Sequence, residues 1–159
     1  MDASVSSHTT YHPESGYYEF MASDVLPVTT YYSNDFEGGL DDFLVDGFNQ
    51  NKPAGWGSYG MHTEHPYPAP NAEDDTIELT ALLKVPILLN PGNSQMIFSE
   101  IVYVEEGEPN SKFGHFNFWD YVIVEGSKDW GQTWSPLLDG YDVRERPVWF
   151  NHFTQLRYQ

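Results

Sequence analysis

The chain of 159 residues contains no cysteine, which removes a disulfide framework, a thiolate zinc site and a cysteine nucleophile together. Positive charge is scarce: 7 Lys and Arg stand against 24 Asp and Glu, a formal charge of −17. A nucleic-acid backbone or an anionic lipid surface would be repelled by that balance, so neither is an expected partner. No apolar run approaches the ~20 residues a membrane-spanning helix needs, so no membrane insertion is expected. The opening Met1-Asp2-Ala3-Ser4 lacks a basic and apolar leader; if the protein is exported, its signal is removed or lies upstream.

What is abundant is aromatic. Eleven Tyr, 10 Phe and 5 Trp are punctuated by 13 Gly and 11 Pro, a composition of many short strands and tight turns. The expected fold class is all-β, and the length suits about one domain with its own core. Residues 1–27 are rich in Ser, Thr, His and Tyr without a sustained period and read as a flexible tail or the end of a preceding module. Residues 28–159 then form the domain, opening with a strand through Val28–Tyr32 and the acidic turn Ser33–Gly39. Leu40–Phe48 suits a helical turn or short strand, and Met61–Pro70 an extended, proline-rich segment. Thr76–Leu83 alternates as a half-buried strand does. Gln95–Val104 and Phe118–Glu125, apolar on both faces, are expected as central strands, Trp134–Leu138 as another, and Val148-Trp149-Phe150 as the start of the next element.

The most specific signal is Ser127-Lys128-Asp129-Trp130-Gly131-Gln132-Thr133-Trp134, the S-x-D-x-G-x-T-W pattern of an Asp-box. Asp129 can fold its carboxylate onto nearby N–H groups, Gly131 can take φ > 0, and Trp134 can anchor the returning strand in a core. In sialidase-like propellers such boxes lie away from the active site, so a structural role is expected for Ser127, Asp129, Gly131, Thr133 and Trp134. A sialidase also needs repeated blades and an arginine cluster, whereas this chain has one box and Arg144, Arg146 and Arg157 grouped near its end.

With Asn34–Gly38, Ser99–Val102 and Phe118–Ser127 running through the box to Asp139-Gly140-Tyr141-Asp142, the chain resembles MAM-like, choice-of-anchor J or cleaved-adhesin modules. Those are jelly rolls of large secreted or surface proteins of Bacteroidota, often beside a type IX secretion sorting domain. The resemblance covers about residues 30 to 145. It implies a two-sheet jelly-roll sandwich, extracellular or cell-surface, used for adhesion, for glycan or protein binding, or as a non-catalytic accessory. The family's Gly-Trp-rich closing segment and last strand have no counterpart after Val143. A sheet edge would then stay open unless neighbouring domains of the same polypeptide or another chain cover it.

Glu100 and Asp120 each interrupt an apolar stretch, and a buried carboxylate needs a cation, an arginine or hydrogen-bond donors. If the two strands form a hairpin through Glu105–Asn117, the pair are diagonal neighbours on one face. Three readings follow: structural hydrogen bonds or an arginine partner, a structural Ca²⁺ site completed by Asp35 and Glu37, with Asp41 and Asp42 close by, and an acid–base pair as in a glycoside hydrolase. The acidic loop Glu105, Glu106, Glu108 reads as a solvated face. His62-x-x-His65 has ligand spacing, but Pro66 and Pro68 oppose the helix that would align the two rings. No G-x-S-x-G elbow supports a serine nucleophile. Trp56, Tyr59, Tyr67 and Trp130 fall in expected loops and are the candidate ligand-binding residues, whereas Trp119 and Trp134 are expected in the core. The expected function is non-enzymatic ligand binding, with a purely structural spacer or secretion-accessory role as the alternative and an acidic-pair hydrolase third.

Overall fold

The computed structural model describes residues 24–70 and 76–157; most of the expected tail falls outside them. The chain forms two compact units, Met1–Gln95 and Met96–Gln159. Taken over the described residues, the chain is mostly short antiparallel sheet and coil with few helices, and those helices lie in the second unit.

In the first unit, β1 (Phe43–Asp46) pairs antiparallel with β4 (Thr80–Leu83), Phe43 opposite Leu83, and β2 (Phe48–Asn51) pairs with β3 (Gly60–Thr63), Phe48 opposite Thr63. Within Leu40–Phe48, Phe43–Asp46 forms β1 and Phe48 opens β2, and the alternating Thr76–Leu83 segment contributes β4. The expected strand Val28–Tyr32 is reduced to a single parallel bridge, Thr29 to Ile87, flanked by a bond from Leu26 N–H to the Lys84 carbonyl at 2.9 Å. The acidic turn is stitched to this frame. Asn34 Oδ1 accepts the Phe36 N–H at 2.6 Å, the Tyr32 hydroxyl donates to Asp42 Oδ2 at 3.0 Å, and the Phe36 and Tyr32 rings lie 6.0 and 6.3 Å from that of Phe43.

The second unit holds β5 (Glu125–Gly126) paired antiparallel with β6 (Ser135–Pro136), a 3-10 turn at Val143–Glu145 and α1 (Pro147–Arg157). Its core is Val102, Tyr141, Val143 and Trp149, with Val104, Val122, Phe150 and Phe153 packed against it. Two expected central strands are corrected here. Of Gln95–Val104 no residue is paired in a ladder. Of Phe118–Glu125 only Val122, bridged to Tyr141, and the end of the segment in β5 are paired. Apolar residues on both faces suit a strand only when neighbours supply backbone bonds and cover both faces. Here Val102 and Val122 reach the core while Ile97, Trp119 and Tyr121 stay exposed. The element expected to open at Val148-Trp149-Phe150 is helix α1. Proline fits its first position, where an N–H would have no helical partner, and Trp149, Phe150 and Phe153 share the inward face at i, i+1, i+4.

One polar node ties this unit together. Asp142, 3% exposed, accepts from the Gly107 N–H at 3.2 Å, from the Arg144 N–H at 2.8 Å and from Arg144 Nη2 at 2.6 Å. Arg144 also donates to the Glu108 carbonyl and the Ser111 hydroxyl, and its guanidinium lies 5.6 Å over the Phe118 ring. Burial pushes the Asp142 carboxyl up, but the hydrogen bonds from Arg144 and Gly107 outweigh it and hold it below the usual carboxylate range.

Candidate functional site

The hairpin between β5 and β6 is built by the Asp-box as its chemistry requires. The Ser127 hydroxyl donates to Asp129 Oδ1 at 2.8 Å and accepts the Gly131 N–H at 2.7 Å. Asp129 in turn accepts the Thr133 N–H at 2.8 Å and the Thr133 hydroxyl at 2.6 Å. Chiefly through the Thr133 bonds, then that of Ser127, the Asp129 carboxyl is held down to about 2. The turn places consecutive residues in the left-handed region, Trp130 at φ 61° and Gly131 at φ 84°. Glycine takes that conformation freely, but a bulky residue there is an outlier.

Trp130 is 73% exposed at the tip, so little burial compensates for that conformation. Trp134 does not anchor a core as expected: it is 43% exposed, and its ring edge lies 3.5 Å from where a Cβ on Gly131 would sit. It covers the turn. Trp119, likewise expected inside, is 58% exposed. The box therefore satisfies itself through bonds between residues two and four apart and needs no core contact from its tryptophan.

A second aromatic group lies in the first unit, on the connection between β2 and β3. Trp56 and Tyr59 are both exposed there, Trp56 N–H donating to the Pro53 carbonyl at 3.0 Å and Tyr59 N–H to Glu37 Oε1 at 2.9 Å. Lys52 Nζ stands 5.9 Å from the Tyr59 ring centroid. Tyr67, after β3, is partly buried. The acidic turn thus serves the aromatic loop: Glu37 fixes Tyr59, and Gln50 donates to the Phe36 carbonyl at 2.5 Å.

The four carboxylates expected around calcium belong to different units, Asp35 and Glu37 to the first, Glu100 and Asp120 to the second. Among the described residues, no three His, Asp or Glu side chains gather as a metal-ligand group. Asp35 Oδ1 accepts the Glu37 N–H at 3.1 Å, and Glu100 Oε2 accepts the Tyr141 hydroxyl at 2.8 Å. Burial raises the Glu100 carboxyl, partly offset by that hydroxyl, and burial together with Glu100 pushes the Tyr141 phenol well above its usual range. His62 and His65 do meet, edge to face at 4.8 Å between ring centroids, without a helix. Burial, then the neighbouring His62, lowers the His65 pKa.

Sequence reasoning missed the Asp142–Arg144 node, because its acceptors and donors at Gly107, Glu108 and Ser111 lie more than thirty residues away. Asp142 and Arg144, two residues apart, carried one local signal, a capping aspartate before a turn. No protein-family model matches the chain, and neither a curated protein nor a solved structure is significantly similar to it.

Proposed function

We propose that this chain is a non-catalytic extracellular module of a larger secreted or surface protein, of jelly-roll kind, that binds a glycan or protein ligand through aromatic side chains displayed on rigid turns. The observation that carries the proposal is Trp130. A tryptophan that is solvent-exposed and also confined to positive φ contributes little to folding, and glycine in its place would relieve roughly 1–2 kcal/mol of backbone strain. Strain of that kind at an exposed aromatic points to use of the side chain, since indole rings stack on sugar faces and fill protein hot spots. The Asp129 bonds hold the turn in one shape beforehand, which lowers the ordering cost of binding. Trp56 and Tyr59 offer a second platform of the same type.

The test is a pair of variants, Trp130→Gly and Trp56→Ala, screened against a glycan array and a panel of extracellular proteins. Trp130→Gly is expected to raise Tm by about 2–4 °C for each kcal/mol of strain released and to lose binding. Retained affinity for every ligand that the native chain binds would refute the reading, and absence of any saturable ligand would favour the spacer alternative.

A further inference from the structure

Met96–Val102 passes the core of the second unit without a turn or bend. Its last four residues, Ser99–Val102, alternate between outward and inward as in a half-buried strand, while Met96, Ile97 and Phe98 are all exposed. Val102 is buried with Tyr141, Val143 and Trp149, and Glu100 points inward to the Tyr141 hydroxyl, while Ile97 is 80% exposed and Ile101 is exposed too. Yet among the described residues none of the backbone N–H or C=O groups of Met96–Val102 has a hydrogen-bond partner. Beside this strip lies an open hollow of about 520 Å³, lined by Met96, Ile97, Phe98, Ser99, Glu100 and Arg146.

A segment without a turn that presents unused backbone bonds and apolar side chains is a template for strand addition. We propose that Met96–Val102 is a docking edge that takes an extended segment of another protein by strand addition, and that this segment alternates apolar residues with lysine or arginine. Backbone pairing along the edge would supply affinity, and Ile97 and Ile101, two of the outward positions, would take the apolar side chains. Charge selects the rest. The chain carries −17, Glu100 lies within the strip, and Glu105, Glu106 and Glu108 follow it directly, so a basic strand is attracted and an acidic one repelled. The same charge disfavours a second copy of this chain as the occupant. Arg146, held over the Trp149 ring at 5.3 Å, is the one cation among the described residues that line the hollow and can donate to a carbonyl of the incoming strand. This edge is independent of the Trp130 tip.

The experiment is fluorescence polarisation of the full chain with synthetic peptides of about nine residues, a common strand length. One alternates Lys and Ile, one alternates Glu and Ile, and one is the Lys–Ile peptide N-methylated along its bonding edge. The Lys–Ile peptide is expected to bind saturably and at least about tenfold more tightly than the other two, with affinity falling as salt rises. Ile97→Lys, an exposed change that should leave Tm within about 1 °C, is expected to weaken it at least about tenfold. Ser99→Pro, which deletes a backbone donor, should do the same, and Trp130→Gly should leave it unchanged. Equal binding of the N-methylated peptide, no binding of any peptide, or light scattering that shows self-association through this edge would each overturn the proposal.

Discussion

Asp142→Ala is the perturbation whose cost the structure lets one work through. The carboxylate is 3% exposed and the Arg144 side chain 29% exposed, with 2.6 Å between Nη2 and Oδ2. Removing one partner of a buried pair costs roughly 3–5 kcal/mol, and the partial exposure of Arg144, which can rehydrate, brings this down to about 2–3. Loss of the acceptor for the buried Gly107 N–H adds about 1 kcal/mol. A total of about 3–4 kcal/mol corresponds to a fall in Tm of about 6–16 °C for a chain of this size. The assay is thermal and urea unfolding of the native chain, Asp142→Ala, Arg144→Ala and the double variant at pH 7. The double variant is expected to cost at least about 1 kcal/mol less than the sum of the singles, because each single strands the other's partner. Acid supplies an independent check. The folded carboxyl lies below its usual 3.8, so its stabilisation is complete above that value and is lost as pH falls through the folded one, a dependence that Asp142→Ala should lack. A fall of less than about 1 °C, or strict additivity, would refute the assignment of this node as the tie of the second unit.

Three further expectations follow from particular contacts. A Cβ on Gly140 would lie 2.5 Å from Phe113 Cδ2 and 2.8 Å from Tyr121 Cδ2, so Gly140→Ala is expected to cost about 1–3 kcal/mol in urea unfolding; a neutral change would contradict the packing. In a carbon-detected NMR titration the Asp129 carboxyl is expected to titrate near 2 and, since its folded pKa is depressed, its contribution to the hairpin to be lost only as pH falls from 3.8 through that value; a midpoint near 4 would deny the hydrogen-bonded turn. Glu100 has the opposite sign. Its folded pKa is raised above 4.5, so the native state takes up its proton first and stability falls as pH rises through the folded value. Glu100→Gln keeps an acceptor for Tyr141 and should flatten that dependence without lowering Tm at pH 7, and millimolar Ca²⁺ should leave both proteins unchanged. A calcium-dependent rise in Tm lost in Glu100→Gln would instead establish an ion at this carboxylate.

What could be read from the residues was what folds locally. The Asp-box was legible because the bonds that define it join residues two to four apart, within reach of the turn chemistry of Ser127, Asp129, Gly131 and Thr133. The alternation from Thr76 was legible for the same reason. The exposure of Trp119 and Trp134 was not, because burial depends on which distant surface arrives, and two apolar faces look the same whether covered or open. Helix α1 was hidden by its aromatic and β-branched residues, which suit strands; the i, i+1, i+4 spacing of Trp149, Phe150 and Phe153 after Pro147 was the signal for it. The pairing of Glu100 with Asp120 rested on a hairpin register that the chain does not adopt. Glu100 finds Tyr141 instead, forty-one residues on, beyond the reach of any local pattern.

In the proposed function the Asp-box corner presents Trp130 to a ligand and catalyses nothing. The most direct measurement follows the indole N–H resonances of the 5 tryptophans during titration with a ligand found by the array. The Trp130 resonance is expected to shift saturably, the buried Trp149 resonance to stay in place, and the ligand to be recovered chemically unchanged. A stationary Trp130 resonance with bound ligand, or conversion of the ligand, would contradict that function.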